Sequence, residues 1–440
     1  MASLGDVRRS AATLFGQGQH LAALRLYDAI VTAAPLDFDA RIRLADCALA
    51  LGDLAVRDAA FGVYRATGWY CLKAGHPLAA LVCARVIEAN GGDASDLTAA
   101  LVVRYGSESE LLGKVAARIA LPADELGVPI PDVRQPPSGD LLAAALARAT
   151  HATEGFTEFP QSVHAIPLLS SLSEAAFRRV LGTLLLRRLP TGALVIREGE
   201  PGNSFFFVAG GQLRVFATDG LGRQTELAQL GEHAVFGEMA LLSAQPRSAS
   251  VACATEVDLL EVGRHSLASL ADELGAVAEA LHGFTRERLL GNLMATSPLF
   301  RPFNRMQQRD LLRRFTSHDV AAGTVVIHEG EPGRGLFVVL SGELDVSRRA
   351  ADGQVVPLGG LRTGDVFGEM SLLRNAPTTA TVVAQRPATV LFLAREYVER
   401  VVAAVPEIKS YLEALAEDRE IDNQLVLGED ETPADERVLI

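Results

Sequence analysis

Two stretches of this chain gather the residue types that hold an anion. In the first, Phe236-Gly237-Glu238-Met239-Ala240 runs through an apolar turn to Pro246-Arg247-Ser248-Ala249, with Glu238 and Arg247 nine positions apart. Arginine is a planar, permanently charged fork that grips phosphate oxygens in pairs. Gly237 lets backbone N–H groups approach a ligand closely, and the start of a short helix favours negative charge. Glu238 has the wrong sign for a phosphate but accepts hydrogen bonds from hydroxyls. Taken singly, Glu238 and Arg247 also suit a structural ion pair in a β-barrel.

The pattern returns as Phe367-Gly368-Glu369-Met370-Ser371 followed by Pro377-Thr378-Thr379, 131 residues later. Gly192–Val251 aligns with Gly323–Val382 without a gap, and nearly half the positions are identical, which marks a duplicated unit. The first copy resembles the phosphate-binding cassette of the cyclic nucleotide-binding domain family throughout, and the resemblance covers residues about 161–410. It implies a β-roll that binds cAMP or cGMP as ligand, with no metal or other cofactor. Phe236, Gly237, Glu238, Met239, Ala240, Arg247, Ser248 and Ala249 are the implied contacts, Glu238 meeting the ribose 2′-hydroxyl. Ser248 stands where cAMP receptors of the family often carry alanine; its hydroxyl suits the guanine amino group without excluding adenine, and family frequency leans to cAMP.

The second copy departs from the family at one position, Thr378, where Arg247 stands in the first. A neutral hydroxyl does not replace charge-assisted bonds of about 1.5–3 kcal/mol each. The second site, with Gly368, Glu369, Met370, Ser371, Thr378 and Thr379 as its candidate residues, is therefore expected to be empty or to hold some other ligand. Arg374 is close in sequence but reads as a solvated surface residue.

These sites need a scaffold. The expected fold is multidomain α+β: a helical region at 1–126, a proline-rich linker and short helix at 127–160, β-rolls at 161–295 and 296–418, and an acidic disordered tail at 419–440. In the helical region Gly18, Ala23, Leu24, Tyr27, Ile30 and Pro35 recur at helical spacing, Gly52 follows Gly18 by 34 residues, and Gly75-His76-Pro77-Leu78-Ala79-Ala80-Leu81 echoes Gly18 to Leu24. This resembles a degenerate tetratricopeptide repeat, which implies a surface for a protein partner; a bundle that merely packs on its neighbour is the alternative. In the first roll the expected elements are a helix from Glu174 to Leu186 and strands at 193–196, 205–208, 213–216 and 257–262. Helical sequence then runs to about Met294, with Leu281 and Phe284 as candidates for an apolar cap over the base; a helix at about 396–418 closes the second roll.

Composition limits the remaining function classes. A formal charge of −13 argues against nucleic acid, and 417–440 alone hold nine acidic and two basic residues. No apolar run reaches 18 residues and no secretory signal opens the chain, so a cytoplasmic protein without membrane insertion is expected. Cys47, Cys71, Cys83 and Cys253 lack metal-ligand spacing, and the nine histidines are dispersed. Motifs for phosphate-gripping loops, kinase catalysis, serine hydrolysis and zinc proteolysis do not occur. A helix-turn-helix after the second roll and an inhibitory Arg-Arg-x-Ser/Ala segment before the first are not expected either. The reading is a non-enzymatic receptor or adaptor that signals through helix movement to a protein partner; self-association is left open. A scaffold with no nucleotide bound is the alternative.

Overall fold

The computed structural model describes residues 1–51, 54–113, 116–134, 141–218, 222–238, 247, 249–266, 283, 286–287, 289–291, 293–295, 297–350 and 353–427. They divide into two compact units, 1–284 and 285–440.

In the first unit, α1 (Leu4–Gly16), α2 (His20–Ala33), α3 (Phe38–Ala50), α4 (Leu54–Ala74), α5 (Pro77–Ala89) and α6 (Ser95–Tyr105) each pack on the next. Side-chain caps start two of them: Ser3 accepts from the Asp6 N–H, and Asp37 from that of Ala40. The two echoing stretches open α2 and α5, while Gly52 lies outside the described residues. The expected linker is not free at its start. Gly127–Val128 (β2) pairs with Ala2–Ser3 (β1), because Val128 finds a core and is wholly buried there. After it, α7 (Leu141–His151) packs on α2, α3 and α4.

The helix α8 (Glu174–Thr183) stops short of Leu186: Leu184 turns extended, and Leu185 begins a strand paired with Glu261. That strand, β3 (Leu185–Leu189), is followed by β4 (Leu194–Ile196), β5 (Ser204–Gly210), β6 (Leu213–Thr218), β7 (Gln224–Leu230), β8 (Val235–Phe236), β9 (Ser250–Cys253) and β10 (Val257–Gly263). They form two antiparallel sheets, β3-β10-β5-β8 and β4-β9-β6-β7. Alternation along β5 serves two cores at once. Phe206 and Val208 point into the roll, while Phe205, Phe207 and Ala209 join the core of the helical region. The helices therefore share a core with the first roll, which favours the packed bundle over a free-standing repeat array.

The second unit repeats the roll with β11 (Thr316–Val320), β12 (Val325–Ile327), β13 (Gly335–Ser341), β14 (Leu344–Arg349), β15 (Val355–Leu361), β16 (Val366–Phe367), β17 (Thr381–Ala384) and β18 (Ala388–Ala394), in orders β11-β18-β13-β16 and β12-β17-β14-β15. Its helices are α9 (Arg305–Leu312), α10 (Glu369–Leu373), α11 (Arg395–Ala404) and α12 (Pro406–Leu427). The single helix expected at 396–418 is thus two, because Pro406 forces Val405 into an extended conformation. The acidic stretch is also not a tail from residue 419. Ile408, Leu412 and Ala416 are buried along α12, which packs on α10 and β15 and continues to Leu427. Residues 428–440 lie outside the described residues.

Candidate functional site

In both copies the cradle starts at a glycine in the left-handed region, Gly237 at φ 83° and Gly368 at φ 88°. A side chain there is strained, and a Cβ would come within 2.7 Å of Arg247 Nη1 at Gly237 and 2.8 Å of the Gly335 carbonyl at Gly368. The preceding phenylalanines stack alike: Phe236 on Phe206 at 5.1 Å and Phe367 on Phe337 at 5.0 Å. Backbone bonds repeat too. Arg247 donates to Glu200 O and accepts from Gly199, both at 2.8 Å, and Thr378 donates to Glu331 O at 2.9 Å and accepts from Gly330 at 2.8 Å. Duplication has preserved the frame, so the two sites differ in their side chains.

In the first site, Arg247 Nη1 donates to the Gly237 carbonyl at 2.6 Å and Nη2 to that of Ser204 at 2.7 Å. The guanidinium thus spans from the cassette to β5. Burial pulls its pKa down, and the negative charges of Glu238 and Glu261 oppose that pull. Glu238 is buried, at 2% exposure, and Ala249 is half-buried. A cavity of about 380 Å³ reaches Arg247 beside Arg187, Arg197, Glu200, Asn203 and Glu261, while Gly237 and Glu238 do not line it. Met239, Ala240 and Ser248 lie outside the described residues, as do Leu281 and Phe284.

The second site is built differently. Thr378 Oγ1 donates to the carbonyls of His328 at 2.5 Å and Glu331 at 3.1 Å, so its hydroxyl hydrogen serves the backbone. Ser371 Oγ donates to Gly368 O at 3.1 Å, and Thr379 Oγ1 approaches Met370 Sδ at 3.7 Å. Glu369 is 1% exposed; it accepts from Arg419 Nη1 at 2.8 Å, and its Oε2 is buried without a hydrogen-bond partner among the described residues. Arg374 does not turn toward the cradle but pairs with Glu420 of α12. A cavity of about 290 Å³ remains, bounded by Gly368, Glu369, Thr378 and, from α12, by Arg419, Asp422 and Asn423. Sequence reasoning missed these three. The available signal was Arg419, one of two basic residues in an acidic stretch.

Beyond the cradles, a buried charge cluster joins the helices to the first roll. Arg43 of α3 reaches Asp258 at 2.8 Å, and Arg188 of β3 reaches Asp46 at 2.5 Å and Asp258 at 3.1 Å. Tyr64 donates to Asp46 at 2.5 Å. Burial alone would raise the Asp258 carboxyl, but Arg43 and Arg188 outweigh it and hold it below the usual carboxylate value. All four cysteines are buried free thiols, and burial pushes Cys83 up to about 12 and Cys253 up to about 11. They read as packing residues.

One expectation needs correcting at the level of letters. Arg8-Arg9-Ser10-Ala11 fits the Arg-Arg-x-Ser/Ala pattern ahead of the first roll. It lies inside α1, however, with Ala11 wholly buried and Arg8 paired to Asp37 at 2.7 Å and Asp124 at 2.8 Å. A docking segment must be free to extend along a partner, and this one is held in a helix by the buried Ala11 and the paired Arg8.

Comparison with known proteins agrees with the geometry. Residues 186–273 and 317–404 match the model of the cyclic nucleotide-binding domain. Similar proteins include regulatory subunits of cAMP-dependent protein kinase from three fungi. That of Yarrowia lipolytica is 28% identical over 263 residues, 60% of this chain and 66% of that protein. Those of Neurospora crassa and Mycosarcoma maydis are 27% identical over 252 residues (55% and 62%) and 31% over 228 residues (49% and 42%). The chain thus spans less than two-thirds of the length of the relatives it matches. Among solved structures, the regulatory domain of Toxoplasma gondii PKA with cAMP is 22% identical, covering 57% of this chain and 92% of that one at a TM-score of 0.28. With two matches to one family model at the two copies of one roll, the chain carries two tandem cyclic nucleotide-binding domains, over residues 186–273 and 317–404.

Proposed function

We propose that this protein is a non-enzymatic receptor that binds one cyclic nucleotide, cAMP in preference to cGMP, in its first β-roll. One observation carries the reading: the two cradles share a frame, but only the first places a guanidinium over its glycine, through the 2.6 Å bond from Arg247 to Gly237. The ligand's phosphate takes over the donors now given to Gly237 and Ser204, and Glu238 receives the sugar hydroxyl. The similarity to cAMP-dependent kinase regulatory subunits supports cAMP as the ligand and a kinase catalytic subunit as the class of partner.

Binding acts on the partner through the helical region, which is joined to the first roll by the Arg43–Asp258 and Arg188–Asp46 pairs. Such coupling requires the nucleotide to favour one arrangement of helices over another. No helix among the described residues is long and apolar enough to cross a membrane, in keeping with action in the cytoplasm. Isothermal titration of the full chain with cAMP and with cGMP tests the proposal. One site per chain with tighter cAMP binding is expected; a folded chain that binds neither leaves the scaffold reading in its place.

A further inference from the structure

His76 is remote in sequence from the adjacent pair Glu232 and His233, yet meets them where the turn before α5 faces the turn before β8. His76 is 1% exposed, and its Nε2 lies 2.8 Å from the carbonyl oxygen of Ile119. A carbonyl only accepts, so the ring hydrogen sits on Nε2. Nδ1 then presents a lone pair to Glu232 Oε1 at 2.8 Å, and two electron-rich atoms at that distance need positive charge between them. The same Oε1 lies 3.4 Å from His233 Nε2, a buried nitrogen with no hydrogen-bond partner among the described residues. A proton satisfies the first pair and leaves His233 Nε2 without a hydrogen bond; a metal ion engages all three atoms.

We propose that His76 Nδ1, Glu232 Oε1 and His233 Nε2 form a binding site for a zinc-type divalent cation. Two imidazoles and a carboxylate are a zinc donor set that leaves one position for water. Bonds of about 2.0–2.2 Å in a tetrahedron put ligand atoms about 3.3–3.5 Å apart. Here the His76–Glu232 atoms at 2.8 Å would open by about half an ångström on that scale, the Glu232–His233 atoms at 3.4 Å already fit, and the two ring nitrogens, within 4.8 Å, would close. The outer partners are in place as well: Ile119 O holds the His76 tautomer, and Arg118 faces the other carboxylate oxygen, Oε2, at 3.7 Å. The ion would tie the start of α5 to the strand that leads into Phe236-Gly237-Glu238, clamping the helical region to the first roll beside its cradle. The site is independent of which nucleotide binds.

The test is titration of the chelator-treated full-length chain with cobalt(II) as a spectroscopic probe. One equivalent giving tetrahedral d–d absorption, displaced by zinc, is expected. Glu232→Gln and His233→Asn should each weaken cobalt binding by at least about 100-fold, the upper end of what losing an outer partner does. Asparagine suits the positive φ of 69° at position 233, so that variant keeps the turn. Zinc should raise the melting temperature of the wild type and not of either variant. A folded wild type without tetrahedral bands, or bands that persist unchanged in both variants, overturns the proposal.

Discussion

Arginine at 247 and threonine at 378 occupy one place in two copies of the same frame, and their chemistry divides the sites. Arg247→Ala removes both the charge and the fork, at about 1.5–3 kcal/mol for each bond to a charged group. Titration calorimetry should show cyclic nucleotide binding weakened by at least about 100-fold on that scale. Arg247→Lys should recover only part of the loss, because a point charge does not replace a bidentate donor. Unchanged affinity in Arg247→Ala would place the ligand elsewhere. The converse substitution, Thr378→Arg, sets a guanidinium over Gly368 and should add a second binding event to the titration. Retention of a single event would mean that the Arg419–Glu369 pair, at 2.8 Å, keeps the second cradle closed to nucleotide.

At the level of elements, α12 is the part that makes the second site unlike the first. It supplies Arg419, whose bond is the one hydrogen bond recorded among the described residues to the buried Glu369 carboxylate. Arg419→Ala leaves that carboxylate in a buried place without its cation, a loss of about 1–3 kcal/mol or more for a charged group. The melting transition of the second unit should fall accordingly. Arg374→Ala breaks the exposed pair with Glu420 and should change the transition much less, since screened surface pairs contribute little. Equal effects of the two would show that the buried Arg419–Glu369 pair contributes no more than the exposed Arg374–Glu420 pair. The inward row of Ile408, Leu412 and Ala416 explains why the helix persists through so acidic a sequence.

Across the first unit as a whole, the cluster of Arg43, Asp46, Arg188 and Asp258 binds helices to roll. Removing one partner from a buried pair costs about 3–5 kcal/mol, and Arg43→Ala should destabilise the unit on that scale in chemical denaturation. The acid response follows from Asp258, whose folded pKa lies below its unfolded value near 3.8. Its contribution is present above that unfolded value and is lost as pH falls toward the folded one. Denaturation midpoints should therefore drop below about pH 4 in the wild type, a slope that Asp258→Asn reduces. Glu256 works the other way, since burial raises its carboxyl, and its protonation softens the loss at slightly higher pH. An unaltered slope in Asp258→Asn would assign the acid response to other carboxylates.

The residue order alone determined the duplication, the two glycine-led cradles and the missing cation at 378, because local spacing and residue type decide those. Strands with apolar runs, such as Phe205 to Val208, were legible for the same reason. β7 was not: Gln224–Leu230 is exposed along most of its length and carries no alternating pattern. The end of α8 was also illegible, since Leu185 and Leu186 suit a helix until Glu261 and Leu260 offer them a strand partner. Tertiary structure decided the rest. Burying both faces of β5 fused the helical region to the first roll, a choice that two-sided apolar alternation permits but does not name. It brought Arg43 to Asp258 and His76 to Glu232 and His233 across more than 150 positions of chain, where no spacing rule operates. It also carried Arg419 from an acidic terminal stretch onto Glu369, because a buried carboxylate needs a cation and α12 packs where it supplies one.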